Sequence, residues 1–319
     1  MRTRTIRSAD VELHCVEQGD GPLVVLSHGF PELAFSWRHQ MPALSASGYR
    51  VIAPDQRGYG RTSRPDAVED YDIHHLTADL IAVLDTLGEE RAVLVGHDWG
   101  SMVVSHVALM HPERVAGVVN MSVPHLPRGP VAPLQAMRAA FAGTFFYILY
   151  FQEPGVADRE LDADPARTMR RLLAGARDAP DAVPDPAAIA ADGRGFVERF
   201  PEPAALPGWL TQVELDHYTA EFSRTGFTGG LNWYRNLDRN WATTEALAGA
   251  LVTAPSLYIG GALDPVVKMS PPGLGHDALA DHRGDVLIDD AGHWVQQEQP
   301  QAVNSHLIAF LDDTHRRKP

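Results

Sequence analysis

The sequence predicts an α/β fold: a mostly parallel central sheet covered by helices on both faces, with a helical segment inserted after the sixth strand. Three observations predict it. Continuous apolar runs of strand length, Leu23-Val24-Val25-Leu26 and Val93-Leu94-Val95 among them, read as strands buried on both faces. These runs alternate with helix-length stretches through the first 125 residues, the order that builds a parallel sheet. From about residue 126 to 240 the buried-strand runs vanish, and they resume at 255–260 and 285–288. The expected organisation is a core in two parts, 1–125 and 241–319, interrupted by a helical cap at 126–240.

Taken in order, residues 3–17 read as two short strands and Gln18-Gly19-Asp20-Gly21-Pro22 as a turn. The run 23–26 leads into His28-Gly29-Phe30-Pro31-Glu32, and a helix is expected through Trp37 to Leu44. A strand over 49–55 enters the loop Gln56-Arg57-Gly58-Tyr59-Gly60, which is too short and wrongly placed for a dinucleotide fingerprint. Asp72 is placed to cap the next helix, whose Leu76, Leu80, Val83, Leu84 and Leu87 share one face before Gly88 stops it. A further buried strand at 115–119 ends at Ser122-Val123-Pro124. The insertion holds helical segments at 134–151, 164–176 and 212–224, with a Pro/Ala/Asp-rich connection from 180 to 207. A helix over 302–311 closes the chain.

Charge and cysteine content narrow the function classes. With 27 Lys+Arg against 41 Asp+Glu the net charge is -14, which argues against nucleic acid or an anionic membrane as partner. The longest apolar run, 139–151, is broken by Gly143 and Thr144 and falls short of the roughly 20 residues a membrane span needs. No apolar stretch follows the basic N-terminus, so no secretory signal is expected. Cys15, the single cysteine, excludes an intramolecular disulfide and fits a soluble protein of the reducing cytoplasm. It reads as a small buried apolar residue. His74-His75 lacks a second ligand cluster at zinc spacing, so no metal is expected; Arg170-Arg171 and Arg316-Arg317-Lys318 read as solvated charge.

The chemistry is concentrated at strand ends. In Gly96-His97-Asp98-Trp99-Gly100-Ser101 an apolar strand feeds a Gly-x-Asp-x-Gly turn, and Met102-Val103-Val104 opens a helix. That is the layout of a nucleophile elbow with aspartate in the serine position. The glycines let strand and helix backbones approach, and the carboxylate is set beside a helix N-terminus that favours negative charge. The plainer alternative is an N-capping aspartate in a βα turn. Two further candidates follow strands: Asp264 after Gly260-Gly261-Ala262-Leu263, and His293 after Asp289-Asp290-Ala291-Gly292. Ligands of such sheets bind beyond the carboxyl ends of the strands. The chain order nucleophile, acid, histidine matches the hydrolase triad built on this kind of sheet. Asp98 would attack an electrophilic carbon, His293 would activate water against the resulting ester, and Asp264 would orient the imidazole. The N–H groups of Phe30 and Trp99 are the expected oxyanion donors. Taken singly, Asp264-Pro265 reads equally as a turn and Gly-His-Trp as one ordinary histidine among 15.

These motifs, together with Tyr150-Phe151-Gln152-Glu153-Pro154-Gly155 and Leu231-Asn232-Trp233-Tyr234-Arg235-Asn236 in the insertion, make the chain resemble the epoxide hydrolase branch of the α/β-hydrolase superfamily over nearly its whole length. The core motifs are shared with haloalkane dehalogenases, and the two insertion motifs are more specific. The resemblance implies a cofactor-independent reaction between a small hydrophobic epoxide and water. It also implies two cap tyrosines that protonate the opening ring, Tyr147 as the first and Tyr234 as the second, with Tyr150 a rival to Tyr147 for the first role. An alkoxide is a poor leaving group at neutral pH, so an acid of pKa near ~10 is needed. His28, Pro31, Phe151 and Trp233 are expected to contact substrate. Phe30-Pro31 is expected to be cis, and a homodimer is compatible with the family. Ser101-Met102 departs from the smaller residues the family often carries there. A dehalogenase would use the same Asp/His/Asp set but often places an asparagine where this chain has Phe30, and it has no need of paired tyrosines. The alternative of another class is a ligand-binding receptor on the hydrolase fold.

Overall fold

The computed structural model describes residues 1–175, 191–270 and 273–316. The chain divides into two compact units: one of residues 1–64, 73–127 and 247–319, the other of residues 65–72 and 128–246.

The first unit is built on eight strands: β1 (Arg2–Ser8), β2 (Val11–Gln18), β3 (Leu23–Ser27), β4 (Arg50–Pro54), β5 (Ala92–His97), β6 (Val115–Met121), β7 (Val252–Gly261) and β8 (Leu279–Ile288). They form one sheet in the order β1-β2-β4-β3-β5-β6-β7-β8. The pairs β1–β2 and β2–β4 are antiparallel and the rest parallel. Burial follows position. Strands β3 and β5 are buried at every residue, as a parallel strand covered on both faces must be, whereas β2 alternates buried with more exposed positions. Cys15 lies buried in β2. Glu17 on the same strand binds Arg2 and Arg4 of β1 and Arg50 of β4, an ion-pair cluster that spans three strands. Helices Ile73–Leu87, Trp99–Met110 and Pro300–Arg316 belong to this unit, the last longer than the expected 302–311. Of the run 316–318, residues 317 and 318 lie outside the described residues.

Strand β8 begins six residues before the stretch expected from sequence, at Leu279 rather than 285. Its polar His282-Arg283-Gly284 run breaks the apolar signal because β8 is an edge strand with a bulge, not a doubly covered one.

The second unit carries helices Pro133–Ala140, Tyr147–Tyr150, Val156–Ala163, Pro165–Gly175, Gln212–Thr225, Thr228–Arg235 and Leu237–Thr243. The single helix expected over 134–151 is two, separated by a stretch in which Gly143 takes φ 79°, a conformation that ends a right-handed helix. Ala176 and residues 180–190 of the expected connection lie outside the described residues. Phe151, Tyr218, Phe222, Phe227 and Trp233 are fully buried and form this unit's interior. Among the described residues no helix is long and apolar enough to cross a membrane.

Candidate active site

Asp98 sits at φ 51°, ψ -120°, between β5 and helix Trp99–Met110, and makes no side-chain cap hydrogen bond. The strain of a non-glycine residue there requires its neighbours to be small. A Cβ on Gly96 would lie 2.2 Å from the Gly100 carbonyl oxygen, and one on Gly100 would lie 2.0 Å from that of Ser27. Capping is therefore not the role of this carboxylate. Its Oδ1 accepts the Phe30 N–H at 2.9 Å, and the Trp99 N–H also bonds the group. The Phe30-Pro31 bond is cis and Pro31 is buried. Oδ2 faces His293 Nε2 at 3.7 Å.

On its other side, His293 Nδ1 faces both oxygens of Asp264 at 3.2 Å. Asp264 has two tasks: its Oδ1 also accepts the Val266 N–H at 2.8 Å and so starts helix Pro265–Met269. The turn reading and the site reading of this aspartate hold together. Asp98, Asp264 and His293, far apart in sequence, meet at the carboxyl ends of their strands.

Ionisation follows from this packing. Burial disfavours the His293 imidazolium, but Asp264, Asp98 and Glu32 outweigh it and raise its pKa to about 9. Burial raises the Asp98 carboxyl above its ordinary value, against the pull of His293, His97 and the two N–H donors. Asp264 is held below the usual range: His293, the Ser122 hydroxyl and the Val266 N–H outweigh its burial.

Several residues around the triad escaped the sequence reading of roles. Ser122, at φ 64°, donates to Asp264 Oδ2 at 2.5 Å and lies 2.9 Å from His293 Nδ1. Tyr258 donates to the Ser122 carbonyl oxygen at 2.7 Å. Glu298 accepts the N–H groups of Gly292 and Trp294, clamping the backbone on both sides of His293. His97 is buried with Nδ1 2.5 Å from Glu32 and Nε2 2.8 Å from the His293 carbonyl oxygen. Glu32 also accepts the Gly29 N–H and the Gln296 side chain, and it is held down to about 2: its burial is outweighed by His97, His28 and the Gly29 N–H. Ser101, where the chain departs from family habit, donates to the Val123 carbonyl oxygen and accepts from Asn120. The signal for Ser122 was its place at the end of β6, the strand between those bearing Asp98 and Asp264.

The remaining expected contacts divide by unit. His28 is fully buried, with Nδ1 2.9 Å from the Gly29 carbonyl oxygen and Nε2 accepting the Gln56 N–H, so both nitrogens serve the loop rather than a ligand. In the helical unit the rings of Tyr147 and Tyr234 lie 6.0 Å apart, and Phe151 packs against both. Phe151 and Trp233 have no exposed surface. Burial, together with the nearby Glu160 carboxylate, raises the pKa of Tyr150 well above the ordinary tyrosine value.

A strained aspartate elbow, an Asp–His pair and two backbone donors at the strand ends of an eight-stranded sheet define a class. The chain belongs to the alpha/beta hydrolase fold family, whose pattern matches residues 22–300. It is 56% identical over 310 residues to Epoxide hydrolase A of Mycobacterium tuberculosis, covering 97% of this chain and 96% of that protein. It is 38% identical over 321 residues to Epoxide hydrolase 3 of Siraitia grosvenorii, covering 97% of each. The crystal structure of Epoxide Hydrolase A from Mycobacterium thermoresistibile superposes with a TM-score of 0.93 at 57% identity, covering 98% of each chain. Within the fold family, this chain is an epoxide hydrolase.

Proposed function

We propose that the enzyme converts epoxides to vicinal diols in two steps, through an ester on Asp98. The observation that carries this reading is the inequivalence of the two Asp98 oxygens: Oδ1 is held by the Phe30 N–H, while Oδ2 faces the catalytic histidine. Oδ2 attacks an epoxide carbon, the C–O bond breaks, and a tyrosine hydroxyl gives its proton to the ring oxygen. Tyr234 and Tyr147 are the proposed acids. Burial and Glu160 raise the pKa of Tyr150, which makes it the weaker acid and favours Tyr147 for the role. His28 serves as scaffold, and the aromatic interior around Phe151 and Trp233 shapes the cap.

Ester formation removes the Asp98 charge, one of the groups holding a proton on His293. The imidazole is thereby freed to act as base just when water must be activated. His293 takes a proton from water, whose oxygen attacks Cγ of Asp98. The oxyanion forms on Oδ1, which already accepts the Phe30 N–H, with the Trp99 N–H as the proposed second donor. Collapse releases the second hydroxyl with the proton from His293, and the remaining proton of water restores the tyrosine. No cofactor takes part. The single cysteine supports a location in the reducing cytoplasm.

The test is turnover on two panels, epoxides assayed for diol and haloalkanes for halide, with intact mass of His293→Gln after epoxide addition. Diol without halide, and an accumulating adduct in the variant, are expected. Halide without diol would assign dehalogenase chemistry to the same triad. Diol from wild type with no trappable adduct would remove the ester step.

A further inference from the structure

A second cluster of ligating side chains lies on the outer edge of the sheet, apart from the triad. His276, in the turn before β8, and His282 and Asp285, on β8, bring their ligand atoms within 4.8 Å of one another. Residues three apart on a regular strand point to opposite faces. Here the register slips: Ser256 of β7 pairs with His282 and Tyr258 pairs with Asp285, so two steps on β7 oppose three on β8. Gly284, at φ 124°, absorbs the extra residue, and the bulge brings His282 and Asp285 to one side.

The contact distances group the two imidazoles around one carboxylate. His282 Nδ1 is 3.3 Å from Ser256 Oγ, and that oxygen is 3.4 Å from the Asp281 carbonyl oxygen. A carbonyl only accepts, so the serine proton points to it, and the serine lone pair is left for an Nδ1–H of His282. His282 Nε2 lies 2.9 Å from Asp285 Oδ1. His276 Nε2 is 3.1 Å from the same carboxylate. A cation shared by the three side chains fits this grouping. Ligands of a tetrahedral ion bound at roughly 2.0–2.2 Å stand about 3.3–3.6 Å apart, so a few tenths of an ångström of side-chain movement would open these spacings to fit one. The Nδ1–H to serine contact is the outer-shell bond that a metal-bound imidazole ordinarily makes.

A second observation points the same way. His125 is 4% exposed, lines the same cavity as His276, His282 and Asp285, and has no hydrogen-bond partner for either ring nitrogen among the described residues. The His276 turn is pressed against it: a Cβ on Gly275 would lie 2.2 Å from the His125 carbonyl oxygen.

We propose that His276, His282 and Asp285 bind a divalent transition-metal ion of the zinc type, with His125 available to the fourth position directly or through water. The ion clips the turn before β8 to the edge strand and takes no part in epoxide chemistry. Two imidazoles and a carboxylate suit zinc, and a hard calcium or magnesium ion would prefer an all-oxygen set.

Calorimetric titration of chelator-stripped full-length protein with Zn²⁺ tests this, together with the visible spectrum after loading with Co²⁺. Wild type is expected to bind one equivalent, to show the absorption bands of low-coordinate cobalt, and to gain thermal stability. His282→Gln and Asp285→Asn should each bind about 10-fold more weakly or worse. Both should keep epoxide turnover and the wild-type circular dichroism spectrum, which separates lost binding from misfolding. His293→Gln should bind as wild type does. Absence of saturable binding in wild type would overturn the proposal, as would equal binding by the His282 and Asp285 variants, or loss of binding in His293→Gln.

Discussion

At the scale of the residue, the centre depends on charges that change during turnover. His293 is held at about 9 by carboxylates that include Asp98. A raised histidine pKa means that the imidazolium stabilises the fold fully below 6.5, the unperturbed value, and that this contribution is lost as pH rises through about 9. Replacing Asp98 by asparagine removes one of the stabilising charges. The His293 ring, followed by NMR, should therefore titrate near 9 in wild type and at lower pH in Asp98→Asn. An unchanged midpoint would show that Asp264 and Glu32 hold the proton alone, and that esterification does not free the base. Turnover by Asp98→Asn should fall by about 10⁴-fold or more. The grouping of Asp98, Asp264 and His293 was legible in the sequence because each follows a strand and has a glycine within three residues. Glu298, Ser122 and His97 were not, because they act on backbone groups or on residues that only the fold brings near.

At the scale of the element, the elbow is a joint between β5 and helix Trp99–Met110 that has room for no added atom. Gly100→Ala places its Cβ 2.0 Å from the Ser27 carbonyl oxygen, and backbone of a central strand cannot swing aside as a side chain can. We expect about 1–3 kcal/mol of destabilisation in urea unfolding and loss of activity in the fraction that folds. Wild-type stability and rate in that variant would mean that the elbow has slack. Elements also mark where the sequence was hard to read. Apolar continuity announced β3 and β5, but β8 was recognised only over its last residues, because an edge strand with a bulge carries neither continuity nor clean alternation. The helix expected over 134–151 failed for the opposite reason. Its apolar residues are those of two short helices, and Gly143 was the visible break.

At the scale of the whole molecule, excess acidity coexists with carboxylates kept ionised by partners in the fold. Glu17 and Glu32 are each held down to about 2, Glu17 by Arg2, Arg50 and Arg4 against its burial. A depressed carboxyl contributes stability that is present above its unfolded value of 4.5 and is lost as pH falls toward 2. Melting temperature should therefore decline across that window, and Glu17→Gln should flatten part of the slope while lowering stability at neutral pH. A variant with the wild-type slope would place the acid limb elsewhere. Composition had indicated the negative surface, but which carboxylates are buried against arginine or histidine depends on strand pairing, which charge counting does not see.

The asymmetric grip on Asp98 has a consequence for isotopes. If the backbone donors keep Oδ1 in place through every cycle, that atom is a permanent resident and never leaves in product. The other seat is filled afresh from solvent each time and surrendered to the next diol. Enzyme cycled through many turnovers in oxygen-18 water should then carry one heavy atom in the Asp98 side chain and not two. A doubly labelled carboxylate would reveal that the group rotates between cycles and keeps no memory of which oxygen was held.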